Sequence, residues 1–298
     1  MNLMKYKFFY FILSAFLILP GIYFLLTSSL RFGIDFTGGA LLEYQFTNPI
    51  HVNELRDLVS SHGVEIGQIV ASSDNSYIIR TKPLEQEKIN TLRKSLEDKY
   101  GSPAGGVEER RVEFVGPTIG KELQSKALIA LTFASLAIVF FISFSFRKVP
   151  KPASSWRFGV CAIIALLHDV LFVVGVFAIL GHYLGVEVDT LFVTALLTII
   201  GFSVHDTIVV FDRIRENLLK NIGKKFTDVA NISVVQTLAR SLNTSLTVVF
   251  VLVALLLFGG ETIKWFVVAL LIGIISGTYS SIFNATALLV FWEERLEH

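Results

Sequence analysis

The stretch that decides the fold is Thr190–Phe211, which reads TLFVTALLTIIGFSVHDTIVVF. A bilayer core of about 30 Å needs about 20 apolar residues of helix, and this stretch is long enough. Lipid offers no hydrogen-bond partner to unpaired backbone groups, so a stretch of this kind crosses the membrane as a helix. Its one acidic residue, Asp206, lies well inside the apolar run.

Five further stretches meet the same length requirement. They are Phe8–Thr27, Ala127–Phe146, Phe158–Leu180, Ser241–Phe258 and Phe266–Phe291. The composition agrees, since 53% of the residues are hydrophobic and 17% are charged, whereas soluble domains average about 25% charged residues. We therefore predict an α-helical integral membrane protein with six transmembrane helices.

Composition also excludes several classes of protein. The long apolar runs exclude a soluble enzyme, a disordered chain and a coiled coil. A net charge of +1 argues against a nucleic-acid-binding protein, because no basic stripe dominates. The single cysteine, Cys161, lies in an apolar run, which excludes a disulfide framework and a cysteine-based metal site.

The charges of the short loops predict the orientation. Lys5 and Lys7 precede the first span, and only Lys264 lies in a loop on the opposite side of the membrane. The loops after the second and fourth spans carry Arg147, Lys148, Lys151, Arg157, Arg213, Arg215, Lys220, Lys224, Lys225 and Arg240. Because cytoplasmic loops are enriched in Lys and Arg, both termini are predicted to lie in the cytoplasm.

The two ends of the chain require a separate interpretation. Lys5 and Lys7 resemble the basic start of a signal peptide, but the apolar run is long and no convincing cleavage site follows, so we expect the first span to be retained. Residues 296–298 resemble the start of a histidine tag, and we expect no functional role for them. The predicted domains are 1–28, 29–126 and 127–298.

The segment 29–126 holds half of the charged side chains in about a third of the chain, and its pattern is β-α-β-β-α-β. The predicted strands are Ala40–Phe46, Gln68–Ala71, Tyr77–Arg80 and Val107–Val115, the turn is 72–75, and the helices are Val52–Ser61 and Pro83–Lys99. This order favours a ferredoxin-like α+β domain inserted between helices 1 and 2, outside the membrane. The fold alone implies no function, and the segment lacks a glycine-rich phosphate loop. We expect a lever or a binding surface, without cofactor or metal.

Ionisable residues within the spans are the candidate functional residues. Asp169 and Asp206 each follow a histidine, His168 and His205, and Arg240 borders the fifth span. Such groups cost at least about 2.5–3.5 kcal/mol at bilayer depth and normally mark ion or substrate pathways. Asp206 is about 8 Å from the cytoplasmic end of its span at 1.5 Å per residue, where Arg240 can reach it, and Asp169 lies nearer the midplane. These five residues are the predicted proton path.

Other interpretations stay open for the same residues. Asp206 and Arg240 would also suit a static ion pair, and His168 with Asp169 would suit a hydrogen-bonding contact between helices. A metal site of His168, Asp169 and His205 is disfavoured, because adjacent helical residues point in different directions. The glycines of the sixth-span motif, Gly273 and Gly277, favour a packing seam. The lysines that follow the fourth span favour contact with anionic lipid.

Five stretches, Arg31–Gly39, Leu167–Asp169, Gly201–Asn217, Gln236–Ser241 and Gly273–Phe283, together resemble the motifs of the SecF family, a subunit of the SecDF accessory complex of bacterial protein export. Arg31–Gly39 resembles the opening signature of that family, with Gly33, Asp35, Phe36, Thr37, Gly38 and Gly39. Gly201–Asn217 resembles its fourth-span motif, with Asp212, Arg213 and Arg215. Leu167–Asp169, Gln236–Ser241 and Gly273–Phe283 resemble its third-, fifth- and sixth-span patterns. His205 departs from the family, which more usually has asparagine there, and a histidine can titrate.

The resemblance implies a function that composition and spacing do not reveal. It implies a six-span half of an RND-like unit that pairs with SecD in the bacterial inner membrane. The two would use the proton-motive force to help preproteins leave the SecYEG channel after SecA has driven them in, without a covalent reaction. In the family pattern, Asp206 and Arg240 belong to the proton path. The alternatives are a proton-coupled exporter of lipid or small molecules and a passive scaffold.

Overall fold

The computed structural model describes residues 2–71, 75–82, 86–101, 106–147 and 154–297. Two compact units divide the chain, one formed by Met1–Arg31 with Ile129–His298 and the other by Phe32–Leu128. The helices are α1 (Lys7–Thr27), α2 (Ile34–Thr37), α3 (Val52–Ser61), α4 (Gln86–Tyr100), α5 (Pro117–Ser145), α6 (Ser155–Leu184), α7 (Thr190–Lys220), α8 (Phe226–Phe258), α9 (Lys264–Tyr279) and α10 (Ala285–Glu297). The strands are β1 (Gly39–Phe46), β2 (Ile66–Ala71), β3 (Ser76–Thr81) and β4 (Val107–Val115).

Six helices in the described ranges are long and apolar enough to cross a membrane, which confirms the predicted number. The sixth consists of α9 and α10, which are joined without a break by one turn of π-helix, Ser280–Asn284, called the π turn below. Each helix extends beyond its predicted span at one end or at both, although α5 ends one residue before the predicted Phe146. For example, α8 begins at Phe226 rather than Ser241, and α7 ends at Lys220 rather than Phe211. An apolar run marks only the part of a helix that lipid surrounds, whereas its polar ends continue into water.

Three phenylalanines join α5, α6 and α7 at one end of the bundle. Phe146, Phe158 and Phe211 are at most 1% exposed. The Phe158 and Phe211 ring centroids are 5.1 Å apart, and the Phe146 ring lies 5.6 Å from Phe158 and 5.9 Å from Phe211. Tilted and edge-on aromatic contacts of this kind stabilise beyond the buried area alone.

Two glycines let α1 and α6 approach very closely. A Cβ atom placed on Gly21 would lie 2.7 Å from the Gly175 Cα. Small residues at a crossing allow two backbones to pack directly, which is how helices associate where lipid is as apolar as leucine. The crossing therefore depends on these two positions rather than on the apolar runs around them.

The second unit contains an antiparallel sheet with strand order β2-β3-β1-β4. Alternate residues of β1 and β3 face α3 and α4, with Leu42 opposite Ile79 and both 0% exposed. The helices contribute Leu55, Leu92 and Leu96, which are also 0% exposed. The β-α-β-β-α-β element order is the one expected. Residues 72–74 of the predicted turn, residues 83–85 at the predicted start of α4, and Lys148 and Lys151 lie outside the described residues.

The Gly-Gly pair at the start of β1 is required by the backbone. Gly38 and Gly39 have φ angles of +72° and +137°, which other residues rarely adopt. A Cβ atom on Gly39 would lie 2.3 Å from the Thr81 carbonyl oxygen. The residues just before them form the short helix α2, which the sequence pattern did not predict; it places Ile34 and Phe36 in buried positions.

Candidate functional site

Asp206 lies where α7, α8 and α9 meet. It is 2% exposed. Its Oδ2 accepts a long hydrogen bond of 3.5 Å from the Ser245 hydroxyl on α8. The Ser245 Oγ is in turn 2.6 Å from the Thr278 Oγ1 on α9. Three spans therefore contribute to the surroundings of one carboxyl group.

His205 points away from the core, as expected for the neighbour of a buried helical residue. Its side chain is 67% exposed, and its Nδ1 lies 3.8 Å from the Asp206 Oδ1. This distance is too long for a hydrogen bond, but it is short enough for a charge–charge attraction when the imidazole is protonated. His205 thus lies at the open side of the carboxyl group.

Arg240 is exposed on α8 and does not reach Asp206. No ion pair joins the two residues in the described part of the chain. Asn217 lies opposite Ser233, and Asp206 lies opposite Ser245, so antiparallel pairing places Arg240 about one turn from the level of Asp206. The structure thus brings the two residues to neighbouring levels of facing helices without bringing them into contact.

Asp169 is the centre of a second polar cluster. It is 0% exposed. Its Oδ2 accepts hydrogen bonds from the Ser203 hydroxyl on α7 and, at 2.7 Å, from the Ser280 hydroxyl in the π turn. Ser281 extends the cluster: its hydroxyl donates to the Ser203 carbonyl oxygen at 2.8 Å and accepts from Thr207 at 2.9 Å.

His168 connects this cluster to α1. Its Nδ1 lies 3.0 Å from the Asp169 Oδ1, and its Nε2 lies 3.2 Å from the Asn284 Nδ2. The same amide nitrogen donates to the Ser14 hydroxyl on α1 at 2.5 Å. His168 and Asp169 therefore contact each other directly, and they also contact α7, the π turn and, through Asn284, α1.

The remaining motif residues lie apart from these two clusters, except for Gly277, whose added Cβ would lie 3.5 Å from the Asp169 Oδ2. Arg215 pairs with Asp212 at 2.6 Å, and Arg213 pairs with Glu216 at 2.5 Å near the end of α7. Gly273 and Gly277 of α9 pack against Ile199 and Ser203 of α7. The motif glycines Gly33, Gly38 and Gly39, with Asp35, Phe36 and Thr37, belong to the unit that carries the sheet.

Sequence reasoning missed the hydroxyl and amide groups that complete both clusters. They are Ser14, Ser203, Thr207, Ser245, Thr278, Ser280, Ser281 and Asn284. The signal available in the sequence was the recurrence of small polar residues inside otherwise apolar spans, which an argument from charges overlooks. Within the described residues, no three His, Cys, Asp or Glu side chains are placed to hold a metal ion.

The fold and these clusters define a multi-pass membrane protein with ionisable groups buried among its spans. Residues 96–295 match the family described as protein export membrane protein SecD/SecF, C-terminal, and residues 23–50 match the SecD/SecF GG motif. The protein translocase subunit SecF of Thermobaculum terrenum is 49% identical, over 99% of this chain and 94% of that protein. The chain belongs to the SecF family of protein translocase subunits.

Longer relatives match this chain over one part of their length. The protein translocase subunit SecDF of Bacillus subtilis is 37% identical over 96% of this chain, which spans 37% of that protein. The crystal structure of SecDF from Thermus thermophilus superimposes with a TM-score of 0.82 at 32% identity and covers 99% of this chain. The chain spans 39% of that SecDF chain.

Proposed function

We propose that this chain is the SecF-type half of a proton-driven accessory motor for protein export and works beside a SecD-like subunit. It promotes the late movement of preproteins through a SecYEG-type channel on the outer side of the membrane, after SecA has driven them in. The motor catalyses no covalent reaction. The SecDF relatives support the partnership, because the chain corresponds to 37% of one such protein and 39% of another.

The observation that carries this proposal is the position of Asp206. It is 2% exposed within α7, and no Lys or Arg in the described ranges forms an ion pair with it. A carboxyl group at bilayer depth is costly and is a functional candidate by default. Hydroxyl groups and His205 surround it, so it can exist in protonated and ionised forms that differ in the partners they favour.

Arg240 provides a partner for the ionised form of Asp206. When Asp206 loses its proton, the carboxylate attracts the guanidinium group about one turn away on the facing helix. Drawing that group inward moves α8 against α7, and protonation of Asp206 removes the attraction. One charge crossing the membrane potential supplies about 2.3 kcal/mol per 100 mV, which can bias two arrangements of the bundle but requires repeated cycles to move a domain.

The exposed position of Arg240 also supports a partner subunit. Leu242 and Leu246, which follow it on α8, are 41% and 46% exposed. A guanidinium group beside apolar side chains at this depth is stabilised when protein, rather than lipid tails, covers it. A SecD-like subunit packed on this face provides that cover and completes the proton path.

The orientation belongs to the same proposal. The sheet unit is proposed to be a ferredoxin-like domain on the outer side of a bacterial inner membrane, with both termini in the cytoplasm. The basic residues of the loops support this orientation. Lys220, Lys224 and Lys225 are then placed to contact anionic lipid of the cytoplasmic leaflet.

The variant Asp206→Asn tests the proposal. It keeps the size of the side chain but cannot ionise. In membrane vesicles that contain the whole complex, we expect the variant to assemble normally and to lose the stimulation of preprotein export by a proton gradient. Asp228→Asn, an exposed change at the start of α8, is the matched control. Full stimulation in Asp206→Asn would leave a passive scaffold as the better description.

A further inference from the structure

We propose that His168 and Asp169 form a second proton-binding site and that Asn284 of the π turn responds to its occupancy. The inference deepens the proposed function, on which the role of the site in the working cycle rests, but proton binding at the site does not depend on Asp206.

The Asp169 carboxylate has no ion-pair partner with a fixed positive charge among the described residues. In the described part of the chain the one ion-pair contact of its carboxyl group is with His168. The other groups from the packed elements are hydroxyls of Ser203 and Ser280. An isolated charge buried in a low-dielectric interior is unfavourable unless it is paired. Uptake of one proton by the pair gives either an imidazolium beside a carboxylate or two neutral groups, and both remove the unpaired charge.

The other titratable groups on the neighbouring helices bond to partners of their own and not to Asp169. Asp206, on α7, belongs to the cluster with Ser245. The Tyr279 hydroxyl on α9 donates to the Tyr10 carbonyl oxygen, and the Tyr10 hydroxyl on α1 donates to the Leu3 carbonyl oxygen. On α10, Glu293 and Glu294 pair with Arg157 and Lys7. His168 is therefore the group that can exchange a proton with Asp169.

The bond directions show how the site responds to a proton. With His168 neutral, its Nδ1–H donates to Asp169, and its Nε2 accepts from the Asn284 amide nitrogen. A proton on Nε2 would then place an N–H donor against the N–H donors of the Asn284 amide, and this contact is unfavourable. Asn284 is 7% exposed, and its Oδ1 is buried without a hydrogen-bond partner among the described residues. A rotation of the amide presents this oxygen to the new N–H, so the Asn284 side chain can bond to the ring in either state.

The rotation of the Asn284 amide acts directly on the sixth span. Asn284 closes the π turn, and Ser280 and Ser281 in the same turn bond to Asp169 and Ser203. The Asn284 amide also bonds to Ser14, so its rotation changes a contact with α1. π turns are rare insertions in α-helices that frequently lie at functional sites. The proton on the pair thus controls how the π turn is held against α1, α6 and α7.

Nitrogen NMR of the histidine rings tests the site. The full chain, assembled with its SecD-like subunit in lipid vesicles and labelled at histidine, is titrated across the range in which histidine ordinarily changes charge, about pH 5–8. The His168 signal is assigned by its loss in His168→Gln. We expect wild-type His168 to pass from the form protonated at Nδ1 to a form protonated at both ring nitrogens, or to transfer its Nδ1 proton as Asp169 becomes neutral.

Two variants make the test specific to Asn284. Asn284→Leu has similar volume but offers no oxygen, and we expect the His168 transition to be lost from this pH range. Thr286→Val removes another buried polar group two residues further on, and we expect it to titrate like wild type. A His168 signal that never changes in wild type, or that changes identically in Asn284→Leu, would overturn the inference. Neither result bears on the export assay with Asp206→Asn.

Discussion

Glu293 Oε2 lies 2.7 Å from Arg157 Nη1, and the two side chains are 4% and 14% exposed. This ion pair joins the first turn of α6 to α10, the last helix of the chain. Neither residue belongs to an apolar run, because each lies just beyond the end of a predicted span. The pair therefore forms a contact between spans that hydropathy alone does not indicate.

The buried pair leads to a prediction about stability. Glu293→Gln removes the carboxylate charge that lies against the buried Arg157 guanidinium, which we expect to cost about 3–5 kcal/mol of unfolding free energy. The double variant Arg157→Met with Glu293→Met removes both charges and should recover most of that loss. Thermal unfolding of the purified chain in detergent measures both effects.

The control for this prediction is the exposed pair of Asp212 and Arg215, whose side chains are 54% and 36% exposed. Breaking it should change stability by about 0–1 kcal/mol, as is usual for surface pairs. If Glu293→Gln were no more destabilising than Asp212→Asn, the buried contact would have no structural importance.

The crossing of α1 and α6 gives a second prediction. Gly21→Ala places a methyl group 2.7 Å from the Gly175 Cα, and backbone cannot move aside as a flexible side chain can. We expect the helices to separate and the unfolding free energy to fall by about 1–3 kcal/mol, the usual range for overpacking. Gly201→Ala is the matched control, since no described atom lies within 4 Å of its added Cβ. Equal melting temperatures for the two variants would contradict this account.

The start of β1 gives a third prediction. Gly39→Ala combines a φ of +137° with a contact of 2.3 Å to the Thr81 carbonyl oxygen. Both effects oppose the pairing of β1 with β3, so faster hydrogen exchange is expected in those two strands. Gly116→Ala, with no described atom within 4 Å of its Cβ and no positive φ, should exchange like wild type. Protection of β1 and β3 that is unchanged in Gly39→Ala would rule out this role.

A fourth prediction concerns pH and the sheet unit. Burial in the core and the neighbouring Glu109 carboxylate raise the pKa of Tyr44 above its usual value, which is about 10. The unfolded chain thus releases this proton at lower pH than the folded chain. The Tyr44 contribution to the free energy of unfolding is fully present below about pH 10 and falls above it, by up to about 1.4 kcal/mol per pH unit.

Ultraviolet absorbance of tyrosinate measures this difference. At about pH 11, one unit above the usual tyrosine pKa, the spectrum of the folded wild-type chain should match that of Tyr44→Phe. After denaturation, the wild type should show the absorbance of one more tyrosinate. A folded wild type that already shows the additional tyrosinate would mean that Tyr44 is not held in its neutral form.

Much of the architecture was predictable because it depends on local patterns. Runs such as Thr190–Phe211 must form helices in lipid, and the alternation in Ala40–Phe46 favours a strand with one buried face. Helix ends were less predictable. The first half of α8 is polar enough to fall outside an apolar run, yet it continues the helix by packing on α7 through Ser233, which accepts a hydrogen bond from Asn217.

The candidate site was only partly predictable. Charge and depth were sufficient to select Asp169, Asp206 and Arg240, because ionisable residues in apolar spans are rare. The partners of these residues were not predictable, since Ser280 and Asn284 reach the Asp169–His168 pair from a turn more than a hundred residues away in sequence. The expected proximity of Asp206 and Arg240 came from counting residues along two helices, and such counting does not determine which way a side chain points.

The amino-acid sequence by itself determined that six segments cross a bilayer, that a mixed α/β segment follows the first, and which few charges lie at membrane depth. These properties depend on composition over one or two helical turns, where the cost of exposing backbone or charge to lipid dominates. Only the tertiary structure decided which hydroxyl groups surround each carboxyl group, that Arg240 lies apart from Asp206, and that a π turn meets His168 and Asp169. Those contacts depend on the rotation and crossing of whole helices, which are set by packing between distant segments.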